Sequence, residues 1–183
     1  MVTLNTLSKQ LADTPDLRQF LDIWLDWRGE KLLPLRRDVR PEALGSTMGS
    51  MAILEIEAED RILFRLHATN ITNLTGFEPK EVNIIDMLDP VERQARITRY
   101  RNLRQIPCGM FTKQELVLAD SRTFDIAILF LPVTQSADEL PAFAYASHAI
   151  LTAVSWDHNP AKPHFPLAKE FAYVDIGNGA PDH

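Results

Sequence analysis

The sequence predicts an α+β fold, a five-stranded antiparallel sheet with helices on one face and an amphipathic N-terminal helix on the other. Three observations lead there. The segments come in the order helix, two strands, a cluster of short helices, one longer helix, three strands. The apolar period is helical in "DTPDLRQFLDIWLDWRGEKL" and becomes two in "MAILEIEA" and "RILFRLHAT". The last three strands are parted only by the short polar breaks "DSR" and "TQSADE", so they follow one another as a meander.

In the first helix Thr14 is placed to cap, Pro15 suits the first turn, and Asp16 sits at the positive end of the helix dipole. Leu17, Phe20, Leu21, Trp24 and Trp27 form one apolar stripe, with a shorter stripe of Leu4, Leu7 and Leu11 upstream. Such a stripe covers either the back of a sheet or a second copy of the chain. After the proline-bounded stretch "LPLRRDVRP", strands are expected near 51–58 and 61–69, joined by the turn "EAED". Strict alternation along the second sends Ile62, Phe64, Leu66 and Ala68 to one face and Arg61, Leu63, Arg65 and His67 to the other. "NITNLTGF" is a short helical turn closed by Gly76, and "EPKEVNIIDML" supplies Ile84, Ile85 and Leu88 to the core. The longer helix runs from Pro90 to Gln105, with Asp89 as its cap, Glu92 completing a capping box and Pro107 stopping it. Strands follow near 111–119, 123–133 and 142–154.

Composition narrows the function classes. The chain has 183 residues, 45% hydrophobic and 24% charged, as an ordinary globular domain does. A formal net charge of −6 argues against non-specific binding to nucleic acid or to anionic membranes. A single cysteine, Cys108, excludes an internal disulfide and a cysteine-based structural zinc site. The N-terminal stretch "MVTLNTLSKQLADTPD" has no apolar run of signal-peptide or membrane-span length, so a cytoplasmic location is expected. Three units are expected: 1–40, a helical extension with the proline splice; 41–155, the sheet domain; and 156–183, an extended or mobile tail rich in proline and glycine.

The order of elements resembles a PAS domain, and "WLDWRGEKLLPLRRDVRP" followed by "FRLHATNITNLTGFEP" closely resembles the bacterial PAS_5 family. The matching positions are Trp24 and Arg28 on a helix; Pro34, Arg36, Asp38 and Pro41 in a Pro-x-Arg-x-Asp-x-x-Pro splice; Phe64, Arg65 and Leu66 on a strand; then Thr69 and Gly76. The resemblance runs from about Phe20 to Ile150, with Ala68 standing where glycine is common. It implies a PAS-like sensory or interaction module, some relatives of which act in bacterial signalling and motility control.

Two readings of the splice stay open. Its prolines restrict the backbone between helix and sheet, with Arg36 pairing Asp38 or another carboxylate, or the same arginine contacts an anion or partner. Arg93, Arg96, Arg99, Arg101 and Arg104 spread around the longer helix, as on a solvated face with local ion pairs. His67 and His148 fall on strands, and His158, His164 and His183 fall in the tail, so no pair has metal-ligand spacing within one element. The long helix has no histidine of the kind haem-binding PAS domains present, and Cys108 lacks the setting of flavin-adduct ones; no cofactor or metal is expected. Burial would leave Cys108 inert, while exposure at a helix end would lower its pKa. An interior pocket would take Phe64, Leu66, Ile71, Leu74, Leu116, Phe124, Ile126 and Tyr145, residues that a simple core would need as well.

The expected function is a non-catalytic PAS module that binds a small molecule inside and signals by protein–protein contact. The alternatives are a ligand-free adaptor acting by dimerisation or docking, and a small α+β enzyme with Asp86 or Asp125 as a cavity base. A homodimer through the N-terminal stripe is expected, since an uncovered apolar patch of that length is unusual on a monomer. No nucleic acid and no membrane insertion are expected.

Overall fold

A computed structural model describes residues 2–88, 90–118, 121–152 and 168–181. Among them the strands β1 (Val2–Thr3), β2 (Met51–Ala58), β3 (Arg61–Leu66), β4 (Gly109–Val117), β5 (Thr123–Val133), β6 (Phe143–Ile150) and β7 (Glu170–Asp175) make one sheet. Its order is β1-β7-β4-β5-β6-β2-β3. Every pairing is antiparallel except that of β1 with β7. The helices are α1 (Leu4–Gln10), α2 (Pro15–Arg28), α3 (Thr69–Thr75) and α4 (Pro90–Gln105), with short 3₁₀ turns between them.

The five expected strands and the longer helix are therefore present, in a wider sheet. The two additional strands come from the ends of the chain. Val2–Thr3 is too short for any periodicity to reveal it. Glu170–Asp175 lies within the segment taken as a tail, and it sits in the sheet between β1 and β4. Close approach makes this possible: a Cβ on Gly109 would lie 3.1 Å from the Val174 side chain and 3.3 Å from the Phe130 carbonyl. Residues 153–167, which hold His158 and His164, and the terminal His183 lie outside the described residues.

Alternation in the strands divides the apolar residues between two cores. On one face α1 and α2 lay Leu7, Leu11, Leu17, Phe20, Leu21, Trp24 and Trp27 against Phe111, Leu129, Leu131, Phe143, Tyr145 and Val174. On the other, α3 and α4 cover Leu54, Ile62, Phe64, Ile126, Ile128 and Phe130. Leu7 and Leu11 are fully buried by this chain's own sheet. Leu4 packs beside them, partly buried. Trp24 donates its indole N–H to the Pro132 carbonyl at 3.0 Å. A proline is tolerated there because β4 pairs with β5 only as far as Phe130, leaving no ladder bond on that side for Pro132 to break.

The proline splice ties α2 to the end of β5. Arg36 N–H donates to the Thr134 carbonyl at 2.8 Å, and Thr134 N–H donates to the Pro34 carbonyl at 3.2 Å. The expected Arg36–carboxylate pair is absent among the described residues. Asp38 instead accepts from Lys31 at 2.6 Å, which holds its carboxyl below the usual range. The Arg36 guanidinium lies 4.4 Å from the Phe143 ring centre. Arg36→Ala therefore orphans no buried carboxylate, and its cost should stay under about 1 kcal/mol in chemical denaturation.

Other local expectations also shift. Thr14 makes no side-chain cap to α2; its hydroxyl donates back to the Leu11 carbonyl at 3.3 Å. Asp89, and with it the capping box expected with Glu92, lies outside the described residues; the Glu92 carboxylate has no hydrogen-bond partner among the described residues. Gly76 does close α3, in the left-handed conformation with φ 67°, its N–H on the Thr72 carbonyl at 2.7 Å.

Candidate functional site

The candidate site is an interior cavity of about 30 Å³ on the α3–α4 face of the sheet. Ala52, Leu54, Phe64, Ile71, Ile84, Leu88, Ile126, Ile128, Phe130 and Ala146 give it an apolar lining, and His67, Arg96, Gln114 and His148 are its polar members. Strand parity creates both the room and the polarity. In "FAYASHAI" the small residues Ala144 and Ala146 share a face with His148, while Phe143 and Tyr145 point to α2. Gln114 follows the same rule on β4, two residues before the core residue Leu116.

Of the eight residues expected around a pocket, Phe64, Ile71 and Ile126 line the cavity. Leu74, Leu116 and Phe124 belong to the same core cluster without lining it. Two placements are corrected. Tyr145 is on the opposite face, where its ring meets Trp27 edge-on at 6.3 Å, because its parity is that of Phe143. Leu66 is exposed, at 41% of its full accessibility. The cause is a register shift: Phe64 pairs with Leu54, yet Leu66 pairs with Ile53, so two residues of β3 oppose one of β2. Past this bulge the alternation no longer holds. His67, assigned by strict alternation to the other face, comes to the cavity, and Ala68 is buried at the start of α3.

His67 Nδ1 is 2.8 Å from the Thr72 hydroxyl, and His148 Nδ1 is 3.1 Å from the Ser50 carbonyl. Burial pushes both imidazoles down to about 4, and for His67 the nearby His148 adds to the shift. The Nδ1 of His148 is thus the protonated nitrogen, since a carbonyl only accepts. Both rings are neutral at pH 7. A folded pKa below the unfolded value of about 6.5 means that stability is fully present above about pH 6.5 and is lost as pH falls toward 4. Urea midpoints between pH 7 and pH 5 should record a loss of up to about 2 kcal/mol per histidine, flattened in His148→Gln. A slope unchanged in that variant would show that carboxylates elsewhere carry the effect.

Arg96 and Gln114 form the other polar wall, with Arg96 Nη2 donating to Gln114 Oε1 at 2.7 Å. Arg96 is only 5% exposed and Glu92, one turn earlier, 2% exposed, with 3.9 Å between Arg96 Nε and Glu92 Oε2. So α4 is not uniformly solvated. Arg93 is exposed, whereas Arg96 enters the core and Arg99 stacks at 4.0 Å over Phe171 of β7. The sequence signal was present in the spacing of Glu92, Arg96, Tyr100 and Leu103, all of them buried.

The family-pattern residues make contacts within the chain. Arg28 donates to the Ile176 carbonyl at 2.7 Å, and its guanidinium lies 5.4 Å from the Trp24 ring centre. Arg65 pairs with Glu55, with Glu57 at 3.0 Å and with Glu81 at 2.8 Å. Pro41 opens a 3₁₀ segment and Thr69 is the first residue of α3. Neither aspartate considered as a base lines the cavity: Asp86 is exposed, and Asp125 pairs with Lys169 at 2.8 Å. Cys108 is fully buried, and burial pushes its thiol up to about 12 rather than down. Among the described residues no cluster of metal-ligating side chains occurs, and no helix is long and apolar enough to cross a membrane.

A search of curated proteins finds no match. Among solved structures the chain is similar to the Rhodobacter sphaeroides LOV protein, at 17% identity and a TM-score of 0.43, covering 55% of this chain and 58% of that one. It thus spans less than two thirds of that protein. A point-substituted form of RsLOV is similar at 15% identity and a TM-score of 0.44, covering 75% of this chain and 70% of the other. The family model PAS_5, described as a PAS domain, matches residues 12–144, which take in α2, the proline splice, the cavity helices and strands β2 to β5. By that match the chain belongs to the PAS_5 family of PAS domains.

Proposed function

We propose that this PAS domain is a non-catalytic sensory module that takes a small molecule into the cavity beside α4 and reports it through protein–protein contacts. The observation that supports this reading is the convergence of four polar side chains, His67, Arg96, Gln114 and His148, on an otherwise apolar cavity. A simple core gains nothing from burying them, since each polar group there costs free energy unless it is hydrogen-bonded. A small polar or anionic molecule with a short apolar body would meet the Arg96 guanidinium and Gln114 amide at one wall and two neutral imidazoles at the other. Bending of α3 and α4 around it would change the surface a partner sees.

The test is native mass spectrometry of the full chain purified from its own host, beside an Ala146→Leu variant that fills the cavity. A small-molecule mass excess on the wild type that the variant lacks supports a sensor. Equal masses for both, each that of the bare chain, would favour the second reading, a ligand-free adaptor, which the small volume of about 30 Å³ also favours. Output through a homodimer is read by light scattering at micromolar concentration. A particle mass near 20.8 kDa would remove it.

A further inference from the structure

Beside the cavity, between α4 and the sheet, lies a second and smaller cleft of about 10 Å³, lined by Arg96, Arg99, Tyr100, Met110, Thr112, Phe130 and Phe171. Its four polar members each carry a buried donor with no hydrogen-bond partner among the described residues: Arg96 Nε, Arg99 Nη1, the Tyr100 hydroxyl and the Thr112 hydroxyl. Arg96, Tyr100 and Thr112 are at most 5% exposed. Four orphaned donors on one cleft are costly to fold if nothing meets them. We propose that this cleft holds a single-atom anion, chloride under cellular conditions, gripped by Arg96, Arg99, Tyr100 and Thr112.

Position, size and charge each support it. Arg96, Arg99 and Tyr100 stand at i, i+3 and i+4 and so share one face of α4, and Thr112 meets them from β4. A volume of about 10 Å³ has room for one atom-sized guest and favours that over phosphate, sulfate or a carboxylate. Glu92 offsets Arg96, leaving the Arg99 charge uncompensated among these three. Burial and the like charge of Arg96 weigh against the Arg99 cation, with Glu92 opposing them only in part. A water molecule could accept from both guanidinium groups but would leave that charge unmet. A halide accepts from all four donors and neutralises it. Arg96 lines both the cleft and the cavity, so the ion would also hold the guanidinium that grips Gln114 on the cavity wall. The proposal does not depend on any ligand of that cavity.

Crystals of the full chain grown in sodium bromide should give an anomalous peak between Arg96, Arg99, Tyr100 and Thr112. In solution, chloride and bromide should raise the thermal midpoint over sodium gluconate of equal ionic strength, saturating at about 2–4 °C. Thr112→Val, nearly the same shape, should lose most of that increment while still folding in gluconate. An ordered water at the position with no anomalous signal would overturn the proposal. A halide increment of equal size in wild type and Thr112→Val would overturn it as well.

Discussion

Trp24→Ala is expected to lower the stability of the folded chain by about 3–5 kcal/mol, and its thermal midpoint by roughly 10 °C. Trp24 is fully buried at the centre of the core between α2 and the sheet, so truncation leaves a cavity that neighbours on two rigid layers cannot fill. It also orphans the Pro132 carbonyl, which accepts the indole N–H, and takes from Arg28 the ring beneath its guanidinium. Trp24→Phe separates these parts, because it keeps most of the apolar body and loses the donor; about 1 kcal/mol of extra loss is expected for the hydrogen bond. Urea unfolding followed by circular dichroism measures both. A midpoint unchanged in Trp24→Ala would mean that α2 leaves the sheet without disturbing it, contrary to the packing described.

The second large effect belongs to Arg96. Replacing it with methionine keeps the length of the side chain and removes the cation nearest to the Glu92 carboxylate, which is 98% buried, its oxygens without hydrogen-bond partners among the described residues. Breaking a buried pair from one side leaves an uncompensated charge and costs about 3–5 kcal/mol. The double variant Glu92→Met, Arg96→Met should recover most of that, since replacing both partners by apolar groups is often neutral. A double-mutant cycle gives the coupling directly. If the double variant is as unstable as Arg96→Met alone, the loss comes from Gln114 and the packing of α4 rather than from the orphaned carboxylate.

Much of this protein is written in the period of its apolar residues. Residues at spacings of three and four from Leu17 to Trp27 needed an apolar surface to cover, and the period-two runs supplied its strands. Short polar breaks allowed only a meander. The boundaries Met51–Ala58, Thr123–Val133 and Pro90–Gln105 follow from where these periods begin and end, and the splice, strand and turn residues from Trp24 to Gly76 marked the family. Part of the site was legible as well, for parity alone sends His148 with Ala144 and Ala146, and Gln114 with Leu116.

Tertiary structure decided the rest, because the competing partners lie far apart in sequence. A one-residue shift between β2 and β3 exposed Leu66 and brought His67 to the cavity, and a bulge depends on how two strands fit rather than on either one. Glu170–Asp175 became a strand because β4 offered an open edge and Gly109 a close approach. The stripe of Leu4, Leu7 and Leu11 needed a cover, but that Leu7 and Leu11 meet this chain's own sheet depended on the direction of the chain after Leu11, where local periodicity is silent. Arg96 was one arginine among five on a polar helix. Only the docking of α4 on β4 and β5 turned it inward, to stand between a cavity and a cluster of unpaired donors.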